Sequence, residues 1–160
     1  MTKNIDKKLL LYIFIFISLV LCSAFIIEYG LGNIPCRLCI YERVPYFLSL
    51  LMITKIFLIK GSEKITLLLL SLVFCIGSLL ALYHFGIEQG FINESFVCTN
   101  KDFTETLTKD KFLEQLKENT VSCKEASFKI FGLSLAAINT IFSICLSVTF
   151  IRLFINYEKN

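Results

Sequence analysis

Two cysteines three residues apart, Cys36 and Cys39, are the residues of this sequence whose types and spacing most directly indicate chemistry. They lie between two long apolar runs, and an arginine, Arg43, follows them. Asn33 is an acceptable N-cap and Pro35 suits a first turn, so we predict that a helix begins here. Cys36, Cys39 and Arg43 then share one helix face, with the two cysteines within disulfide range. The positive helix end and Arg43 would both favour a thiolate at Cys39.

The C-x-x-C spacing of this pair is by itself compatible with a zinc half-site, an inert disulfide or a redox dithiol. Zinc would require Cys98 and Cys123 as the other ligands, but these are 25 residues apart, whereas structural sites usually combine two close pairs. Arg43 favours the redox interpretation, because an arginine at a membrane edge is costly unless it has a function or a partner. Its alternative roles are contact with lipid phosphate or pairing with Glu42 or another carboxylate.

The second pair of cysteines outside the apolar runs, Cys98 and Cys123, would close a loop of about 26 residues. A disulfide there could stabilise the fold by about 3–4 kcal/mol on the chain-entropy model, so a purely structural bridge is one interpretation. The alternative is thiol–disulfide exchange with the first pair, which would pass electrons between the two pairs. From the sequence alone, the four cysteines allow three connectivities.

The composition of the chain indicates that transmembrane helices position these cysteines. Of the 160 residues, 56% are hydrophobic and 18% charged, and the mean hydropathy is +0.72, more apolar than a soluble domain needs. A net charge of +3 without a basic patch interleaved with aromatic residues argues against nucleic-acid binding. We predict one all-α membrane domain over residues 1–160, a four-transmembrane-helix bundle with a short and a long loop on one side. The predicted spans are residues 9–27, 44–59, 65–85 and 133–155, and the loops are residues 28–43 and 86–132.

Basic residues are densest at the two chain ends and in the turn between the second and third spans. By the positive-inside rule these regions are cytoplasmic, so both termini are predicted to lie in the cytoplasm. The four loop cysteines and Arg43 then lie on the outer side, and cysteine pairs that persist need an oxidising side. A cleaved signal peptide is the alternative for the first run, but that run is too long and lacks a small-x-small site.

His84, the single histidine of the sequence, is predicted near the outer end of the third span. A histidine there is either an interface residue or, at the depth of Arg43, part of a site that faces a polar or redox ligand between helices. The sequence contains no haem or iron–sulfur ligand set and no nucleotide-binding fingerprint. Electrons from the dithiol would therefore leave through a lipid-soluble acceptor near Cys39, Arg43 and His84.

Other residues are predicted to have packing or surface roles. Small packing roles are expected for the three cysteines within apolar runs, Cys22, Cys75 and Cys145. Close helix packing is expected at four small residues, Ser71, Gly77, Ser78 and Ser134. In the long loop, an apolar stripe at residues 112–116 is compatible with a helix that covers its own loop or one that lies flat on the membrane.

The segment at residues 35–43, Pro-Cys-Arg-Leu-Cys-Ile-Tyr-Glu-Arg, resembles the signature of the DsbB family, the quinone-dependent disulfide-bond formation proteins of bacterial inner membranes. The resemblance extends to the four spans, the two outer loops and the Phe-Gly-Leu-Ser-Leu segment at residues 131–135. It implies a multi-pass inner-membrane protein-disulfide oxidoreductase whose outer loops are periplasmic. The long loop departs from the family pattern in its Lys and Glu content and its lack of tryptophan, which bears on the choice of partner.

The resemblance also implies a role for each cysteine. A reduced periplasmic protein of the DsbA type, with a thioredoxin fold, would attack a Cys98–Cys123 disulfide and form a mixed disulfide with Cys98. Cys123 would then exchange with Cys36 and free Cys39.

On the membrane side, the resemblance implies that Cys39, as the thiolate, contacts a bound quinone, either ubiquinone or menaquinone. Arg43 would stabilise negative charge on the quinone or the thiolate, and His84 matches a family position near the quinone. No metal ligands are predicted. The alternatives are a vitamin K epoxide reductase-like oxidoreductase, a non-enzymatic four-span scaffold with structural disulfides, and a protein that binds metal through the four outer cysteines. In the first of these the C-x-x-C motif lies near the final spans, whereas here it opens the second.

Overall fold

A computed structural model describes residues 7–59, 61–93, 123, 129–130 and 132–159 of this chain. Most of the described residues lie in four helices, which are α1 (Lys7–Phe25), α2 (Arg37–Leu58), α3 (Glu63–Glu88) and α4 (Leu135–Lys159). A π-helical turn, Ile26–Gly30, extends α1. A short antiparallel hairpin precedes α4 and pairs β1 (Lys129–Ile130) with β2 (Leu133–Ser134). The helix count agrees with the predicted bundle, the hairpin is an addition to it, and the stripe at residues 112–116 lies outside the described residues.

Within the described residues, three helical segments are long and apolar enough to cross a membrane, namely Lys7–Gly30, Glu63–Glu88 and Leu135–Tyr157. They carry exposed apolar side chains on their outer surfaces, as expected of helices that face hydrocarbon. α2 is not among the three, because charged residues in its first half and Lys55 near its end make it the least apolar helix. The chain is therefore a membrane protein, and a membrane span at residues 44–59 stays a prediction.

α2 begins later than the sequence indicated. Cys36 is its N-cap, with an extended backbone at φ −72° and ψ 166°, and Arg37 is its first helical residue. The prediction that Asn33 caps this helix is wrong. Pro35 explains the difference, because a proline disfavours helical geometry in the residue before it, here Ile34.

Two apolar clusters hold the helices together. In the larger one, which involves all four helices, Phe74 of α3 packs edge-on against Tyr46 at a ring-centroid distance of 5.5 Å. Phe74 also stacks on Phe150 of α4 at 5.7 Å, and such aromatic pairs add about 0.5–1.5 kcal/mol each beyond their burial. The smaller cluster lies where the start of α2 meets the end of α3 and consists of Cys36, Leu38, Ile87 and Cys123.

Small residues allow α3 to approach its neighbours closely, as predicted. A Cβ added at Gly77 would lie 3.2 Å from Cγ of Pro45 on α2, so these two residues mark a close contact between the helices. The predicted serines of this group are all buried, and Ser147 of α4 donates a hydrogen bond to the carbonyl oxygen of Ser71 at 3.2 Å. The packing role predicted for three other small residues is wrong, because their side chains are exposed on the outside of the bundle: Cys22, Cys75 and Cys145.

Candidate redox site

The two cysteines of the C-x-x-C motif lie side by side at the start of α2. Their sulfur atoms are 2.7 Å apart, and both are free thiols. Cys36 is fully buried, and its Sγ accepts a hydrogen bond from the backbone N–H of Cys39 at 3.2 Å. Cys39 is only partly buried. The predicted closeness of the two sulfurs is confirmed, and the structure adds that only one of them is fully enclosed.

Negative charge in this dithiol is stabilised at Cys36 rather than at Cys39. The hydrogen bond between the two sulfurs lowers the pKa of Cys36, although burial opposes the shift. His84, whose Nε2 lies 3.5 Å from Cys36 Sγ, lowers this pKa further. The same hydrogen bond, with burial as the second cause, raises the pKa of Cys39. The helix start therefore favours negative charge on Cys36 in the free dithiol, because the backbone N–H of Cys39 donates to Cys36 Sγ, and a thiolate at Cys39 stays a prediction.

His84 belongs to a buried polar network that joins three helices. Its Nδ1 lies 2.7 Å from Glu42 Oε1, and the other carboxylate oxygen of Glu42 accepts a hydrogen bond from Asn139 Nδ2 at 2.7 Å. Tyr46 donates its hydroxyl hydrogen to Asn139 Oδ1 and lies 3.4 Å from Ser143 Oγ. Each oxygen of the Glu42 carboxylate thus has its own partner, one on α3 and one on α4.

Sequence reasoning missed this network, although it named Glu42 as a possible partner of Arg43. One signal was present in the sequence: Leu38, Glu42 and Tyr46 follow one another at intervals of four residues, which places them on one face of a helix. That face is the buried one, so a carboxylate within it requires a partner from another helix. Asn139 lies in an apolar run without comparable spacing, and nothing in the sequence indicated it.

Arg43 points in a different direction from Glu42 and pairs with the π-helical turn that extends α1. Its Nη1 donates to Glu28 Oε2, and its guanidinium carbon lies 5.2 Å above the ring centroid of Phe25. Both charged side chains are mostly buried, with 16% and 18% of their surface exposed. Of the alternatives considered for Arg43, pairing with a carboxylate is confirmed, and the carboxylate is Glu28 of the π-helical turn rather than Glu42.

A cavity of about 440 Å³ opens between these groups, with walls contributed by all four helices. Cys39, Arg43 and His84 line it together with Glu42, so the structure brings together the three residues that the sequence placed near one ligand. Most of the remaining wall is apolar. Cys36 does not line this cavity and lies behind Cys39 in the smaller apolar cluster.

Cys123 lies in that same cluster, is fully buried and is disulfide-bonded. The structure therefore places one cysteine of the predicted second pair near the first pair. The other cysteine of the second pair, Cys98, lies outside the described residues.

Glu88, at the end of α3, is a further acidic residue of the site that sequence reasoning missed. Its Oε1 lies 3.9 Å from His84 Nε2, and it also lines the cavity. Its Oε2 is buried and has no hydrogen-bond partner among the described residues. Three groups thus converge on one region, the dithiol, His84 and a carboxylate with an unused oxygen.

Comparison with known proteins adds an independent finding. The model of the family described as disulfide bond formation protein DsbB matches residues 6–153. Disulfide bond formation protein B of Histophilus somni (strain 129Pt) is 31% identical over 164 aligned residues, which cover 98% of this chain and 92% of the relative. An uncharacterized protein of Rickettsia prowazekii (strain Madrid E) is 30% identical over 167 residues, covering 100% of this chain and 96% of the relative. No solved structure matches the chain. With a paired dithiol at the start of its second helix and a family match over nearly its whole length, this membrane protein belongs to the DsbB family of disulfide bond formation proteins.

Proposed function

We propose that this protein is an inner-membrane thiol oxidase that reoxidises a periplasmic DsbA-like protein of thioredoxin fold and passes the electrons to a membrane quinone. Disulfide oxidoreductase activity follows from the family. The soluble partner, the quinone and the order of the cysteines are the proposal. Cys98 and Cys123 form the entry pair, Cys36 and Cys39 form the exit pair, and Arg43 and His84 border the quinone.

The observation that carries the proposal is that the two sulfurs of one dithiol face different surroundings. Cys36 is a buried member of the apolar cluster that contains the disulfide-bonded Cys123 and does not line the cavity. Cys39 packs against that cluster and also lines the cavity with Arg43 and His84. A relay needs this asymmetry, because one sulfur must exchange with the entry pair while the other delivers electrons elsewhere.

The exchange steps balance with two disulfides and one partner dithiol. A thiolate of the reduced partner attacks Cys98, the bond from Cys98 to Cys123 breaks, and the second partner thiolate then displaces Cys98. The Cys123 thiolate attacks Cys36, the Cys36–Cys39 bond breaks, and Cys39 leaves as a thiolate. Cys98 then attacks Cys123 and displaces Cys36, and Cys36 re-forms its bond with Cys39 as two electrons and two protons leave through the cavity to the quinone, which restores both disulfides. Five of the six described cysteines are free thiols and Cys123 is bonded, which supports Cys98 as its partner.

The cavity suits a quinone head group. Its volume of about 440 Å³ lies within the range of small-molecule pockets, and its walls are mainly apolar with a few polar groups that converge. A quinone, when bound, takes up two electrons and two protons and leaves as the quinol. Arg43, held by Glu28 and Phe25, is the cation that stabilises negative charge in this cavity. His84 and Glu42 together hold a proton between Nδ1 and Oε1 at the cavity wall.

The arrangement of the site supports the proposed topology. The start of α2, the end of α3 and the start of α4 meet at one end of the bundle, and the dithiol, His84 and Cys123 all lie there. α1 begins with Lys7 and Lys8, and its other end carries Glu28 into the site. If basic residues mark the cytoplasmic side, the redox site faces the periplasm and both termini are cytoplasmic.

The test is quinone-dependent oxidation of a reduced thioredoxin-fold protein by the purified protein. We expect wild type to oxidise the partner and reduce ubiquinone or menaquinone, and Cys39→Ser to abolish quinone reduction. Cys75→Ser is the matched control, because Cys75 is exposed on the outside of the bundle, and it should keep wild-type rates.

Thiol trapping in membranes separates the relay from a scaffold with structural disulfides. The relay predicts that Cys36, Cys39 and Cys123 change from oxidised to reduced when reduced partner is added without quinone. A scaffold predicts that every disulfide stays oxidised throughout. Quinone reduction by Cys39→Ser at the wild-type rate would contradict the assignment of Cys39 as the exit.

A further inference from the structure

Three atoms of the site that commonly ligate metals, Cys36 Sγ, Cys39 Sγ and His84 Nε2, all lie within 4.8 Å of one another. We propose that the reduced form of this dithiol binds one Zn²⁺ through these three atoms, with a carboxylate oxygen of Glu88 as the fourth ligand. The binding itself does not depend on the proposed function. Its consequence for turnover, which is inhibition, rests on that function.

The distances require two of the four side chains, Cys39 and Glu88, to move. In a tetrahedral zinc site, bond lengths of about 2.3 Å to sulfur and about 2.0–2.1 Å to nitrogen place a sulfur and a nitrogen ligand about 3.6 Å apart. Cys36 Sγ and His84 Nε2 are already 3.5 Å apart. Two sulfur ligands should be about 3.8 Å apart on the same basis, so Cys39 Sγ must move about 1 Å away from Cys36. Cys39 is only partly buried and borders the cavity, so it has space for this movement.

The contact of the other ring nitrogen, Nδ1, with Glu42 holds His84 in an orientation that suits metal binding through Nε2. Nδ1 lies 2.7 Å from Glu42 Oε1 and can keep its proton there, so when Zn²⁺ displaces the proton that Nε2 shares with Cys36, the freed Nε2 lone pair faces the metal. A carboxylate behind the ligating histidine is the usual outer partner of zinc-bound imidazole, because it fixes the ring and raises its basicity. Asn139 holds the other oxygen of Glu42 at 2.7 Å, so this outer partner is itself positioned.

Glu88 is the nearest further side chain for the position that a three-ligand set leaves open. Its Oε1 lies 3.9 Å from His84 Nε2, whereas a nitrogen and an oxygen on one tetrahedral zinc should be about 3.4 Å apart, and neither of its oxygens lies within 4.8 Å of all three other ligand atoms. The Glu88 side chain must therefore move toward the sulfurs. Its Oε2 is buried without a hydrogen-bond partner among the described residues. A buried carboxylate oxygen without a partner is costly, and a bound cation removes that cost. Two thiolates, an imidazole and a carboxylate are a donor set that suits Zn²⁺ among the common divalent ions.

Binding and disulfide formation exclude each other. The reduced pair releases its thiol protons, the two Cys sulfurs bind Zn²⁺, and no electrons move because zinc has no accessible redox change. The disulfide form has no thiolates to offer and cannot bind. A metal held by both sulfurs therefore prevents Cys36 and Cys39 from forming a disulfide and closes the path to the cavity until a chelator removes the ion.

The binding test uses the full chain in detergent, reduced and free of oxygen, titrated with Zn²⁺ against a chromophoric chelator. We expect one zinc per reduced chain, none per oxidised chain, and no binding by Cys36→Ser or Cys39→Ser. Glu42→Gln, which alters the outer partner alone, should weaken zinc binding by about 10–100-fold. His84→Ala should weaken it by more than Glu42→Gln, and Glu88→Gln should also weaken it. The double variant Cys98→Ser/Cys123→Ser and the control Cys75→Ser should bind as wild type does.

A second measurement needs no substitution in the site. Zinc should protect Cys39 of the reduced wild type from a maleimide reagent, and a chelator should restore the labelling. Equal labelling with and without zinc would overturn the proposal, as would unchanged affinity in His84→Ala or Glu88→Gln, or loss of binding in Cys98→Ser/Cys123→Ser. Quinone reduction without zinc binding would overturn this inference alone, whereas zinc binding without quinone reduction would overturn the proposed function alone.

Discussion

The contact between Asn139 and Glu42 allows a sharp test of the buried polar network. We consider Asn139→Leu, which keeps a side chain of similar shape and removes both the amide donor and the amide acceptor. In the wild type, Glu42 is 8% exposed and each of its carboxylate oxygens has a partner at 2.7 Å. The variant leaves Oε2 of this buried carboxylate without its donor and leaves the Tyr46 hydroxyl with Ser143 as its remaining neighbour, 3.4 Å away.

The expected cost follows from the kind of hydrogen bond that is lost. Hydrogen bonds to charged groups contribute about 1.5–3 kcal/mol to the free energy of unfolding, and a buried polar group left without a partner lowers it by a similar amount. For a chain of this size, 1 kcal/mol changes the unfolding temperature by about 2–4 °C, so the variant should unfold about 3–12 °C lower. Ser143→Ala is the matched control one turn further along α4. The contact between Ser143 Oγ and the Tyr46 hydroxyl is 3.4 Å long and joins neutral groups. We therefore expect Ser143→Ala to lower the free energy of unfolding by less than about 0.5 kcal/mol.

The assay is thermal unfolding in detergent, repeated in a Glu42→Gln background. If the carboxylate is the reason for the cost, Asn139→Leu should be at least about 0.5 kcal/mol less harmful once Glu42 is a neutral amide. An unfolding temperature equal to that of the wild type would refute the reasoning. So would equal losses in the two backgrounds, because they would show that the amide stabilises α4 without reference to the charge.

Three further predictions concern the site and its packing. Arg43→Ala should raise the quinone KM by at least about tenfold, equivalent to about 1.4 kcal/mol, while Cys123 stays disulfide-bonded; an unchanged KM would remove Arg43 from the cavity's function. Gly77→Val should lower the free energy of unfolding by about 1–3 kcal/mol, because even a Cβ would lie 3.2 Å from Cγ of Pro45, and equal stability would contradict this close contact. In the reduced protein, the pKa of Cys36 is lowered, so its ultraviolet thiolate absorbance should persist as the pH falls below the ordinary thiol pKa of about 8.5 and disappear only at lower pH. The difference spectrum between wild type and Cys36→Ser measures the Cys36 thiolate absorbance. Loss of this band near the ordinary thiol pKa would contradict a lowered pKa at Cys36.

The parts of the fold that the sequence predicted are those set by one local pattern. Long runs without charge give α1, α3 and α4 whatever their neighbours are, and two cysteines three residues apart at a helix start come together by backbone geometry alone. The start of α2 was misplaced because Asn33 and Pro35 are each compatible with a helix start. Only the three-dimensional structure shows Cys36 taking the capping position instead.

The identities of the ionic partners could not be predicted, because they depend on which helix faces meet. Glu42 and Arg43 are adjacent in sequence, yet adjacent residues of a helix point in directions about 100° apart. Glu42 therefore reaches His84 on α3, while Arg43 reaches Glu28 at the end of α1. The π-helical turn that carries Glu28 has no clear sequence signal, and the carbonyl of Ile26 accepting from Leu31 is visible only in the structure.

The placement of charge in the dithiol constrains when the proposed relay can deliver electrons. While both thiols are free, the hydrogen bond between the two sulfurs raises the pKa of Cys39, so its sulfur is a poor nucleophile toward an electron acceptor. Once Cys36 is bonded to Cys123, Cys36 Sγ carries no negative charge and no longer raises the pKa of Cys39. Cys39 is then freed as the leaving thiolate at the cavity wall, so delivery belongs to the state in which the two pairs are joined. The stabilised charge on Cys36 has the complementary effect, because a thiol with a lowered pKa leaves a disulfide faster. A fast alkylating reagent added during turnover should therefore label Cys39 in molecules that carry the Cys36–Cys123 bond. Labelling of Cys39 only in fully reduced molecules would contradict this order.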